Sequence, residues 1–199
     1  MIAKMATKMA TYFSNKGIFN QEDIAVYSYG FELLISSILN GLGIILISIF
    51  MGITFEAMLF MLAFIPLRLA AGGYHAKHHL TCGIAINITF LFFAVTLSHT
   101  RENFMSYYII FSATISAFIV WLRAPVEAIN KPISENKRKR LRERSIVLST
   151  INIIIALLFY FVPLLSARFA AYYLSGALAS SLSMIVASIE KKAGKFDND

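Results

Sequence analysis

A single cysteine, Cys82, stands in 199 residues, which excludes an intramolecular disulfide and a cysteine-rich metal centre. Charge is scarce too: 15% of residues are charged, where soluble domains carry about 25%. No HExxH zinc signature is present. The first 23 residues hold Lys4, Lys8 and Lys16 but no continuous apolar core, so a cleaved signal peptide is not expected. Internal repeats and low-complexity linkers are absent as well. One domain should account for residues 1–199.

What is there is apolar. Hydrophobic residues make up 58% of the chain, and mean hydropathy is +0.68. They gather in runs at Ile24–Met51, Thr54–Leu69, Gly83–Leu97, Tyr107–Leu122, Ile146–Leu165 and Phe169–Ile189. Crossing a hydrocarbon core takes about 20 apolar residues in a helix. The expected fold is therefore all-α: a polytopic membrane protein of about six transmembrane helices. The second run is short and carries Glu56 and Pro66, which should disturb its end.

The net charge of +7 is unevenly placed. Residues 131–144, KPISENKRKRLRER, hold seven of the 18 basic residues and two acidic ones, and read as a basic loop. By the positive-inside rule such a loop stays cytoplasmic. A nucleic-acid or anionic-lipid patch is the less economical reading, and no nucleic-acid partner is expected. Six spans then put both termini and residues 70–82 on the cytoplasmic side, in agreement with Lys4, Lys8, Lys16, Lys191, Lys192 and Lys195. Residues 1–22 read as an amphipathic helix, either on the membrane lipid or packed on the bundle. Residues 98–106 and 165–168 read as outer loops, and 191–199 as a frayed tail.

A lone cysteine is most often a small buried hydrophobe. Its neighbourhood, RLAAGGYHAKHHLTCG at 68–83, argues for more, because three of the four histidines fall within it. On a helix, His75 and Cys82 would be two turns apart on nearly the same face. An imidazole beside a thiol can take its proton and leave a nucleophilic thiolate. Two turns span about 10 Å, so contact requires a bend, and Gly72 and Gly73 provide one. An interrupted or re-entrant segment fits where it lines a wet cavity. Glu32 and Arg68 are ionisable groups inside apolar runs, and such groups usually face a bundle interior. Glu32 could orient His75; Arg68 could hold a substrate carboxylate or a developing oxyanion. A structural Glu32–Arg68 ion pair explains them equally well. Four-residue His and Cys spacings permit a metal, but no acidic residue in the cluster could serve as base, so neither metal nor cofactor is expected.

Arg68, GGYHA at 72–76 and the cysteine seven places after the histidine resemble the accessory gene regulator B family of membrane cysteine endopeptidases. APVEAINKPIS at 124–134 matches a second element of that family, and the likeness covers essentially the whole chain. The resemblance implies Cys82 as nucleophile and His75 as base. Glu32, Arg68 and Gly73 stand where the family carries functional residues, and Gly72 belongs to the same motif. It also implies a small amphipathic precursor peptide of quorum sensing as substrate, cleaved through a thioester and cyclised to a thiolactone or lactone. Family members act as homodimers in the cell membrane. A peptide transporter and a non-catalytic scaffold are the competing readings.

Overall fold

In lipid the backbone must satisfy its own hydrogen bonds, so long apolar runs become helices. The computed structural model describes residues 2–72, 79–126, 134–162 and 166–196, with the backbone alone for Leu33, 79–82 and 190–196. Seven helices follow in order: α1 Ile2–Asn15, α2 Ile24–Met51, α3 Thr54–Ala71, α4 His79–His99, α5 Glu102–Arg123, α6 Glu135–Phe161 and α7 Ala167–Phe196. Among the described residues there is no strand, only an isolated parallel bridge between Gly72 and Val126. Five helices, α2, α3, α5, α6 and α7, are long and apolar enough to cross a membrane. The sixth, α4, contributes the shorter apolar stretch Gly83–His99. The protein is an all-α, polytopic membrane protein.

α7 is the axis of the bundle. Ala170–Ser181 are buried without a break against α3, α5, α6 and α4. Small residues permit this, since backbones approach closely only where side chains are short. At Gly176 a Cβ would run into the Phe60 carbonyl of α3, so no other residue fits there without moving a helix. Hydroxyl pairs reinforce the same contacts: Tyr108 with Ser175 at 2.6 Å, Ser116 with Ser181 at 2.8 Å, and Tyr173 donating to Asn152 Oδ1 at 2.7 Å.

The two ends of the bundle differ. At one end Gly52, with φ +68°, turns α2 into α3, Glu56 pairs with Arg168 at 3.1 Å, and Ser106 bonds Tyr160 at 2.9 Å. At the other end α2 and α6 overhang. α2 has 28 residues and α3 18, so the first turns of α2 reach about 15 Å past the end of α3. α1 folds back along this overhang, burying Ala6, Ala10 and Ser14, with Thr7 bonded to Ser28 at 2.9 Å and Phe13 stacked on Phe31.

Several boundaries differ from those the sequence suggested. The basic segment 131–144 is not a loop from Glu135 onward but the start of α6. Glu, Lys and Arg are strong helix formers, and hydropathy cannot separate a solvated helix from a loop. Likewise α7 continues into the 191–199 tail as far as Phe196. The outer connection predicted at 98–106 shrinks to two residues between α4 and α5. Pro66 lies inside α3, which runs on to Ala71. So near the end of a helix packed on α7, the missing N–H does not break the turn.

Candidate active site

The site is built where α3 ends and α4 begins, at the overhanging end. Arg68 sits in the last turn of α3. Gly72 follows with φ +73°, its N–H bonded to the Arg68 carbonyl at 3.1 Å. A Cβ at Gly72 would collide with the Val126 carbonyl, and the Val126 N–H donates to the Ala71 carbonyl at 2.9 Å. The glycine is therefore required twice, by its left-handed backbone and by the strand-like contact with Val126. Two sequence elements far apart in the chain, Gly72 of GGYHA and Val126 of APV, meet here.

Arg68 is partly buried. Its Nη1 donates to the Gly72 carbonyl at 3.3 Å and to Ser183 Oγ of α7 at 2.5 Å. The first contact places a cation on the carbonyl end of α3, where the helix dipole favours it. Cys82 is the fourth residue of α4, in the first turn of that helix. Gly73 and His75 lie outside the described residues, as does the Cys82 side chain, so the His75–Cys82 geometry expected from spacing is not part of the described structure. Among the described residues no three His, Cys, Asp or Glu side chains converge as metal ligands would.

The height of Cys82 is set by the crossing of α2 and α4. A Cβ at Gly83 would strike Asn40 Oδ1 of α2, and one at Gly43 would lie 2.5 Å from Asn87 Oδ1 of α4. Each glycine receives the amide of the opposite helix, and the pairs 40–83 and 43–87 run parallel. Asn87 Nδ2 donates to the Gly83 carbonyl at 2.9 Å, which fixes which amide atom faces α2. Half-buried Glu32 belongs to the same α2 stripe, two turns before Asn40. By this register it lies beyond the first turn of α4. A cavity of about 330 Å³ flanks the crossing, lined by Ser36, Leu39, Asn40, Ile84, Asn87 and Ile88 among others.

The sequence pointed to Arg68 and Gly72, and the structure brings them together with Val126. It did not point to Ser183, Asn40 or Asn87. The asparagines carried a readable signal, being amides inside apolar spans. Ser183 carried none, because its role depends on a contact 115 residues away.

The family model for accessory gene regulator B matches residues 6–189. An AgrB-like protein of Clostridium perfringens is 29% identical over 166 residues, covering 79% of this chain and 77% of the relative. The accessory gene regulator protein B of Staphylococcus aureus is 24% identical over 178 residues, covering 89% and 91%. No solved structure matches. With the match spanning nearly every helix of the bundle, the chain belongs to the accessory gene regulator B family.

Proposed function

We propose that the protein is a membrane-embedded cysteine endopeptidase that processes a small amphipathic precursor peptide in quorum sensing. Family membership ties it to accessory gene regulation. The observation that carries the finer reading is the convergence of Arg68, Gly72 and Val126 at the end of α3, the helix that precedes α4 and its Cys82 in the chain. A cysteine in the first turn of a helix gains from the positive end of the dipole, which stabilises its thiolate.

In this mechanism His75 takes the Cys82 proton, and the thiolate attacks the scissile carbonyl. A C–S bond forms and the C–N bond breaks, with His75 returning the proton to the leaving amine. Arg68 stabilises negative charge on the substrate. An internal thiol or hydroxyl of the peptide then gives its proton to His75 and attacks the thioester; a C–S or C–O bond forms, the bond to Cys82 breaks, and the ring closes with release of the Cys82 thiolate. Glu32 acts from the α2 side, orienting the imidazole. Basic α1 and α6 share the overhanging end, so that end faces the cytoplasm by the positive-inside rule, with both termini. The protein works as a homodimer in the cell membrane.

The test uses full-length protein in proteoliposomes and a synthetic precursor-type peptide: an amphipathic helix, an internal cysteine and a C-terminal extension. Cys82→Ser and His75→Ala should each lower cleavage by about a thousandfold or more, without changing thermal stability. A thioester to Cys82 should be trapped when the internal cysteine is replaced by alanine. Undiminished cleavage by Cys82→Ser would sink the reading.

A further inference from the structure

The contact between Arg68 and Ser183 is directional. Ser183 has one hydroxyl proton, and its Oγ lies 2.6 Å from the Ser180 carbonyl of its own helix, to which it donates. Its lone pairs are left to accept, and Arg68 Nη1 donates to them at 2.5 Å. A hydroxyl with its proton committed elsewhere acts as a fixed acceptor rather than a rotor. Charge-assisted bonds of this kind are short and strong.

The packing around the pair explains why so short a side chain reaches. α3 and α7 run parallel and are fastened at the far end by Glu56 and Arg168. Midway, Gly176 lets the α7 backbone lie against the Phe60 carbonyl. Ser183 follows Gly176 by seven residues, two turns, so it lies on the same face of α7. It meets α3 two turns after Phe60, at Arg68. Arg68 also bonds Gly72, whose bridge to Val126 forms the other wall of the site. The Gly72 contact is local to the end of α3, whereas the Ser183 contact reaches α7. The second bond constrains the plane of the guanidinium, because two acceptors on different elements share one nitrogen.

We propose that Ser183 is a positioning residue, which aims the Arg68 guanidinium at the negative charge of the substrate acyl group. This rests on the peptidase reading above. It assigns a role in that reaction to α7, whose sequence shows no chemistry-bearing motif. Ser183 touches no reacting atom; it acts through Arg68. A bare cation near the site would attract charge in any orientation. A held one offers its N–H groups at the same place in each turnover and needs no reorganisation as charge develops.

The test compares two substitutions of similar shape, Ser183→Thr and Ser183→Val, in full-length protein in proteoliposomes with the same synthetic peptide. Threonine in a helix can still bond the i−3 or i−4 carbonyl and keep an acceptor for Arg68; valine cannot. Ser183→Val should lower kcat/KM about tenfold, while Ser183→Thr stays within about twofold of the parent. In an Arg68→Gln background, Ser183→Val should cost nothing further in kcat/KM, although its effect on unfolding temperature persists. Ser183→Ala serves as a second hydroxyl deletion if valine prevents folding. Equal activity of the Thr and Val variants would overturn the proposal, as would an undiminished Ser183→Val loss in the Arg68→Gln background. Failure of the peptidase reading shows separately, as absent cleavage by the parent protein or unchanged cleavage by Cys82→Ser.

Discussion

The two sides of the bundle are packed by different rules. On the side of α3, α5, α6 and α7, the hydroxyls of Tyr108 and Ser175, and of Ser116 and Ser181, pair across helices, and Gly176 brings two backbones into contact. On the side of α1, α2 and α4, a cavity remains, and nothing lies within 4 Å of Gly30 or Gly41. The first side holds Arg68; the second sets the height of Cys82. Close packing fixes the direction of a charged group.

Glycine substitutions measure this contrast most directly. The largest effect is expected for Gly176→Val, whose Cβ would strike the Phe60 backbone. It should cost about 3 kcal/mol or more, read as loss of folded protein by thermal unfolding in detergent micelles. Gly43→Ala should cost less, about 1 kcal/mol by the same measurement, since its Cβ meets the end of the Asn87 side chain, which can turn away. Glu56→Gln removes the ion pair with half-exposed Arg168, and should cost no more than about 1 kcal/mol, shrinking as salt is added. Gly41→Ala should be neutral or stabilising by about 0.5 kcal/mol, because open space surrounds it and alanine is the better helix former. Equal unfolding temperatures for Gly176→Val and Gly41→Ala would erase the distinction between the two sides.

Sequence reading succeeded where the physics is one-dimensional. Apolar runs had to become helices, and α2 matched Ile24–Met51 at both ends. Arg68 drew notice because a guanidinium in an apolar run needs a partner, and it has Ser183 and Gly72. Gly72 was legible through its motif, though its reason, the Val126 carbonyl, was not. What escaped reading depends on how helices lean on one another. The fold-back of α1 along α2, the Asn–Gly exchanges and Ser183 are properties of pairs of helices, and no window along the chain contains both members. The basic start of α6 escaped for another reason: charge located it relative to the membrane but did not reveal its backbone. Gly73, His75 and the Cys82 thiol lie outside the described residues.

The exchange of amides and glycines between α2 and α4 works as a single notch. Sliding α4 by one residue rotates it by about 100° and takes both glycines away from the amides. Sliding by a full turn restores the face but offers Asn40 the Asn87 side chain instead of Gly83. No second register engages, so the backbone of Cys82 keeps its height relative to α2 when the surrounding bilayer thins or thickens. Lipids must adapt to the protein, by stretching, compressing or tilting the bundle as a whole. The position of Cys82 along the bundle is thus written into two helices and not into the membrane's composition.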